Sequence, residues 1–290
     1  MNILGVSRGK RFSPNMGEKD KAIMTAVAEV LCTHGDTVEL IEEERFEEMS
    51  ISDLSGYDAV FSMLRGEKAR QKLKYLENNG VVTMNCSDAV ENAERVNITK
   101  IMIDCGVPLP ETVILNGMEK IFSDFPCWIK NGKGWASYRD DVSFVESIEN
   151  VDEILLRLRT RYHDCPVLVS RHIKGDLIKF YGVEDTDFFC WCYPDTNNSK
   201  FGIEAINGEP KRFPFDALKL KECCEKVAKA SEIIVYGGDC IVDNNGCFWI
   251  IDFNDWPSFS TCRQQAAQAI AKRLYLLIAN SLNPKSAKLV

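Results

Sequence analysis

Asp239, Asp252 and Asn254 are the residues whose types and spacing point most directly to chemistry. They fall in residues 236–259, where two apolar runs, 240–242 and 247–253, flank Asp243-Asn244-Asn245-Gly246, a turn signal for a β-hairpin. Side chains alternate along a strand, so Asp252 and Asn254 share a face with Cα atoms roughly 6.5 Å apart. A two-residue loop at Asn244-Asn245 puts Asp239 opposite Ile250 and diagonal to Asp252, about 7–8 Å between Cα atoms. A bulge at Gly246 would change that register. Unpaired buried carboxylates are costly. Three converging oxygen donors therefore suit a hard cation, Mg²⁺ or Mn²⁺; the competing reading is an exposed hairpin face decorated with acids.

Two lysines join this set. Lys130 ends the apolar run 127–129 and precedes Asn131-Gly132-Lys133-Gly134. An ammonium at a strand end supplies a point charge for phosphate, and Gly132 and Gly134 let backbone N–H groups approach. The loop is not a Walker A motif, since no GxxxxGK[ST] occurs. The alternative is a lysine snorkelling to solvent. Lys179 lies in the middle of the apolar run 176–183 and calls for an anionic partner, either a structural Asp or Glu or a phosphate.

The elements that must position these residues change character along the chain. Over residues 1–90, strand-like runs (2–6, 37–41, 57–64, 81–85) alternate with helical periodicity (19–33 and a stretch through Tyr75 and Leu76), which indicates a parallel α/β domain. Ligands sit at the carboxyl ends of such strands, so Arg8 and Arg65 are candidates for holding an anionic substrate, against the alternative of ordinary loop arginines. Ser87 is a candidate cap for a short helix, and residues 94–105 form another, stopped by Gly106-Val107-Pro108-Leu109-Pro110, where we place a hinge. Beyond it the runs 112–115, 127–130, 166–173, 176–183 and 188–193, with a helix at 151–162, indicate antiparallel α+β structure. Helices at 215–231 and 260–280 bracket the hairpin.

Composition narrows the class. The 290 residues are 45% hydrophobic, enough for one large core or two to three smaller ones. A net charge of −8 disfavours nonspecific binding to nucleic acid or anionic membranes. Twelve scattered cysteines without a CxxC suit a reducing compartment, and three histidines far apart in sequence argue against zinc. With no signal-peptide pattern and no apolar run of transmembrane length, a cytoplasmic protein is expected.

The order basic strand, Gly loop, apolar strand, basic strand, acidic hairpin resembles the ATP-grasp superfamily. The resemblance is carried by Lys130, by residues 167–176, and by Asp239 and Asp252-Phe253-Asn254. The two aspartates are thirteen positions apart, a spacing similar to that of D-alanine–D-alanine ligases. Ribosomal-protein glutamate ligases share the layout, and residues 236–257 look like the corresponding part of inositol trisphosphate 5/6-kinases. The resemblance implies ATP between two antiparallel sheets, with Asp239, Asp252 and Asn254 holding one or two Mg²⁺ ions. It implies Lys130 on the α/β-phosphates, Ser170, Arg171, His172 and Ile173 meeting adenine through backbone groups, and Lys179 facing the γ-phosphate or substrate. Gly132, Gly134 and Asp176 fall among the nucleotide-binding positions. Arg95 stands where a lysine is usual, Arg171 where a glutamate is usual, and Ser258 where a glycine is usual.

The organisation this implies is an N-terminal parallel, Rossmann-like domain (1–94) on the substrate side and an ATP-grasp domain (95–290), divided into a nucleotide-lid part (95–175) and a metal-binding part (176–290). The activity implied is ligation of a small-molecule carboxylate to an amine or thiol through an acyl phosphate, with Arg8, Arg65 and Arg263 positioning the acidic substrate. A small-molecule kinase and a catalytically lapsed nucleotide sensor are the alternatives, and a homodimer is left open. Specificity is expected in the loops 7–17, 65–70 and 194–213.

Overall fold

Ile3, Leu4 and Val6 have no solvent exposure, so the first strand is the centre of a sheet rather than its edge. The computed structural model describes residues 1–12, 17–117, 124–134, 138–163, 165–194 and 206–282. In it β1 (Asn2–Ser7), β2 (Thr37–Glu42), β3 (Ala59–Ser62) and β4 (Val82–Met84) pair in parallel in the order β2-β1-β3-β4. Parallel neighbours need crossover connections, supplied by α1 (Gly17–Thr33), α2 (Glu43–Glu48), α3 (Ile51–Leu54) and α4 (Glu67–Asn78). Leu4, Val6 and Val60 face Phe46, Leu54, Leu73 and Leu76 of α2–α4. Ile3, Ala59 and Phe61 face the other way, onto Ile23, Val27 and Leu31 of α1.

After α5 (Ser87–Asn92) and α6 (Arg95–Asp104) the chain builds two antiparallel sheets. One contains β5 (Thr112–Leu115), β6 (Cys127–Asn131), β7 (Val142–Val145) and β8 (Val167–Arg171) in the order β5-β8-β6-β7. Its alternate residues Cys127, Ile129, Val167 and Val169 pack on Ile154, Leu155 and Leu158 of α7 (Val151–Tyr162), leaving the opposite face for a ligand. The other contains β9 (Asp176–Val183), β10 (Phe189–Cys192), β11 (Val235–Val242) and β12 (Phe248–Asp255) in the order β10-β9-β11-β12. Ile178, Phe180, Cys240 and Phe253 bury that sheet's back against Leu220, Cys224 and Val227 of α8 (Ala217–Ser231). Each buried aliphatic or aromatic side chain contributes about 1.5–3 kcal/mol, so these two apolar faces fix which sides of the sheets remain available. The last helix, α9 (Arg263–Leu282), packs its Ala266, Ile270 and Leu274 into the core of the first sheet, beside α1.

The architecture is the α/β plus α+β arrangement expected. Local departures have local causes. Ser87 is the first helical residue and not the cap: the Cys86 thiol accepts from the Ala89 N–H at 3.4 Å, while the Ser87 hydroxyl donates to Glu77 at 2.6 Å. No element is assigned from sequence to the acidic run opening α2; Phe46 anchors it in the core and Glu43 is wholly buried. All twelve cysteines are free. No helix among the described residues is long and apolar enough to cross a membrane.

Candidate functional site

The free faces of the two antiparallel sheets enclose a cavity of about 480 Å³, closed at one end by the loops after β1 and β3. Strand pairing dictates which side chains reach it. Residues paired across neighbouring strands share a face, so Lys179, Asp239 and Asp252 form one row across β9, β11 and β12. Opposite, Lys130 pairs with Leu168 and Val142, and Trp128 pairs with Ser170. All eight line the cavity. Gly238 has a packing reason to be a glycine, because a Cβ there would lie 2.1 Å from the Asp252 carbonyl oxygen and 2.5 Å from the Phe180 ring.

The hairpin register differs from the expected one. The turn spans residues 243–247, with Gly246 at φ +78° and its N–H donating to the Asp243 carbonyl at 3.0 Å. An irregularity between Asp239 and Cys240 then places Asp239 opposite Asp252, not Ile250. The extra residue is Ile251, which has no partner on β11, and its carbonyl accepts from Lys130 Nζ at 3.0 Å. The bulge thus brings the two aspartates side by side and supplies the anchor for the lysine that crosses from the facing sheet. Asn254 Nδ2 donates to Asp252 Oδ2 at 3.0 Å, and Lys179 Nζ lies 2.9 Å from Asp239 Oδ1. Of the two partners foreseen for Lys179, this is the carboxylate.

Charge at this wall is strongly coupled. Burial raises the Asp252 carboxyl, but Arg95, Lys130, the Asn254 amide and Lys179 outweigh it and hold the group below the usual carboxylate range. Burial pushes the Lys130 ammonium down, and Arg95 adds to that, while Asp252 and Asp239 oppose it. Arg95 reaches the site from the start of α6, with Nη1 donating to the Asn131 carbonyl at 2.5 Å.

At the other end, β8 runs to Arg171, still paired with Cys127, and His172 and Ile173 follow it out of the sheet. The Arg171 and His172 amides, foreseen as ligand contacts, already donate within the fold, to Glu111 at 2.9 Å and Pro126 at 3.0 Å. Trp128 Nε1 donates to His172 Nδ1 at 3.1 Å. Burial, then Lys174, lowers the His172 pKa from 6.5. Protonation would make Nδ1 a donor and set it against the indole N–H. With a folded pKa below the unfolded one, stability is full above pH 6.5 and falls as pH drops through the lowered value. Denaturant midpoints between about pH 5 and 7.5 should show this loss for the wild type and a weaker slope for His172→Gln.

Arg8 and Arg65 do reach the cavity, at the carboxyl ends of β1 and β3. Both are also ties to the hairpin: Arg8 donates to the Trp256 carbonyl at 2.9 Å and pairs with Asp20 at 3.3 Å, and Arg65 pairs with Asp255 at 2.7 Å. Burial and Arg8 lower the Arg65 pKa while Asp255 raises it, to a net value of about 9. Sequence reasoning missed the residue that fixes these loops. The buried Glu43 carboxylate accepts from the N–H groups of Gly9 (2.8 Å), Arg65 (3.3 Å) and Gly66 (2.5 Å). Within the acidic run 42–44 nothing marks it except its place directly after a strand. Glu43→Ala leaves buried N–H groups unsatisfied, so unfolding free energy should fall by about 3 kcal/mol, read from urea titration.

Four expected site residues are not brought to the cavity. Gly132 is held by its N–H to the Pro166 carbonyl at 2.8 Å, where a Cβ would collide, and Gly134 follows at φ +65° with open space around it. Asp176 is 3% exposed and its two oxygens accept from the Lys211 and Phe213 N–H groups, so it is a loop anchor. Arg263 begins α9 and is not among the residues lining the cavity. Residues 13–16 and 195–205 of the expected specificity loops lie outside the described residues. No group of three His, Cys, Asp or Glu side chains suited to a metal ion occurs among the described residues. The set present is two carboxylates and an amide, which suits Mg²⁺, an ion that keeps several waters and takes phosphate oxygens.

Comparison with solved structures finds D-alanine–D-alanine ligase from Bacillus anthracis complexed with ATP, at 16% identity and a TM-score of 0.65 over 99% of both chains. A RimK domain protein ATP-grasp from Sphaerobacter thermophilus matches at 16% identity and 0.66, over 95% of this chain and 100% of that one. VanG D-Ala:D-Ser ligase from Enterococcus faecalis matches at 15% and 0.68, over 97% and 99%. No protein-family model and no curated protein sequence matches the chain.

Proposed function

We propose, from the premise that the chain has the ATP-grasp fold, that it is an ATP-dependent ligase joining a small-molecule carboxylate to an amine or thiol through an acyl phosphate. The observation that carries this reading is the row Lys179, Asp239, Asp252 facing Lys130 across one cavity. An anionic chain of phosphates bound there meets ammonium groups from both sheets and carboxylates on one wall. Asp239, Asp252 and Asn254 would hold Mg²⁺ or Mn²⁺, which when bound neutralises charge on the phosphates. Lys130 has one N–H on the Ile251 carbonyl and donors left for phosphate oxygen. Binding nucleotide would exchange the Asp239 contact of Lys179 for the γ-phosphate.

In the first step a substrate carboxylate oxygen bonds to the γ-phosphorus as its bond to the bridging oxygen breaks, releasing ADP. In the second the amine or thiol attacks the acyl carbon and inorganic phosphate leaves. Such transfers depend on in-line placement and charge neutralisation rather than on a protein nucleophile. Arg8 and Arg65, at the end of the cavity near Asn254, would orient the acidic substrate. The test is ADP release by the full chain with Mg²⁺ and ATP over a matrix of carboxylic acids, amines and thiols. ADP formation requiring an acid together with an amine or thiol supports the ligase. A stable phosphoester from one alcohol makes the protein a kinase, and failure to bind ATP overturns both.

A further inference from the structure

Apart from its charged row, the cavity has an aliphatic share of its lining, Ile98, Met102, Leu109, Leu168, Ile173 and Leu177, and two polar rings, Trp128 and His172, line it with them. An indole N–H can only donate, so the His172 Nδ1 it meets at 3.1 Å must be an acceptor. In the neutral imidazole the proton then sits on Nε2. The ring plane is held as well, with Phe144 edge-on at 5.1 Å and Trp128 at 6.1 Å between centroids. Nε2 is not among the buried atoms lacking a partner, and no hydrogen bond from it to a described residue is found. The tautomer, the orientation and an accessible N–H are thus all set before any ligand arrives. Two neighbouring backbone donors, the Arg171 and His172 amides, are already used inside the fold.

We propose that His172 is a specificity-determining residue, its Nε2–H donating to a ring-nitrogen acceptor of a purine nucleotide whose base lies against this aliphatic lining, and that Trp128 is the positioning residue that fixes the tautomer. The inference rests on the ATP reading above and adds what selects the base. Adenine presents N1, N3 and N7 as in-plane acceptors. Replacing the contacted nitrogen by C–H removes the bond and leaves the His172 donor facing carbon, and a site built to bond one group rejects the analogue that lacks it.

The experiment titrates ATP and its 1-deaza, 3-deaza and 7-deaza analogues, each with Mg²⁺, into the full chain and into His172→Asn and His172→Gln. Asn puts an acceptor near the Nδ1 position and keeps the Trp128 bond without the outward donor; Gln puts an N–H near the Nε2 position. One deaza analogue should bind the wild type about tenfold more weakly than ATP. That gap should close in His172→Asn and persist in His172→Gln. Equal binding of all three analogues and ATP to the wild type overturns the inference, and this arm needs no variant to fold. A gap that survives unchanged in His172→Asn also overturns it. Wild-type protein that binds none of the four removes the nucleotide reading itself, a result distinct from either.

Discussion

Asp252→Asn lowers ATP-dependent turnover by about 10²–10³-fold while the protein stays folded. Asparagine keeps the shape of the side chain and an oxygen to accept from Asn254 Nδ2, so the change is one of charge. The charge matters because Asp252 sits where Arg95, Lys130 and Lys179 all act on it, strongly enough to overcome the effect of burial. Removing it takes away the larger of the two carboxylate influences that sustain the Lys130 ammonium against burial and Arg95. On the proposed reading the variant weakens both the cation site assigned to Asp252 and the phosphate contact assigned to Lys130. The measurement is ADP release at saturating ATP, with near-UV circular dichroism as the control for folding and calorimetric titration of ATP with and without Mg²⁺. The Mg²⁺ dependence of binding should shrink along with turnover. Wild-type turnover in Asp252→Asn would remove this residue from the metal set and leave the row Lys179, Asp239, Asp252 as a structural ion-pair network.

Much of this site was legible because strand periodicity is a strong local signal. Lys179 in an apolar run and Asp252 two residues from Asn254 are anomalies that a core strand tolerates only for a reason, and β9 falls on the residues expected, Asp176–Val183. The register of the hairpin was not legible. It turns on one bulged residue, Ile251, whose neighbours Ile250 and Asp252 give no sequence sign of it. The same holds for Asp176, an acid at a strand start that reads as a ligand contact until the Lys211 and Phe213 amides, 35 and 37 residues on, are seen to claim it. Glu43 was invisible because burial of one glutamate within an acidic run depends on loops distant in sequence, at residues 9 and 65–66. Contacts of this kind are set by tertiary structure, and single-residue type carries no trace of them. Trp128 is intermediate. Its place on the same strand face as Lys130 follows from alternation, but its bond to His172 requires knowing that β6 and β8 are neighbours.

Arg65→Met destabilises the protein by about 3–5 kcal/mol. Arg65 and Asp255 form an ion pair at 2.7 Å with side chains 6% and 1% exposed. Asp255 Oδ2 has no hydrogen-bond partner among the described residues, so losing Arg65 strands a buried carboxylate held by little else. The midpoint of thermal unfolding should fall by roughly 6–20 °C, given the usual shift per kcal/mol for chains of this size. Asp255→Leu alone should be damaging for the converse reason, since it leaves the guanidinium buried without that carboxylate. The double variant, Arg65→Met with Asp255→Leu, exchanges a desolvated ion pair for apolar contact and should recover most of the loss, because replacing both partners is commonly near neutral. Strict additivity of the two single effects would show that the pair is not coupled. The pair also joins the loop after β3 to the residue directly following Asn254, so it is one mechanical link between the first sheet and the carboxylate wall, beside Arg8. Arg65→Met should for that reason weaken Mg²⁺-dependent ATP binding even at temperatures where the variant is fully folded, whereas the double variant, with the seam repacked, should bind closer to wild type.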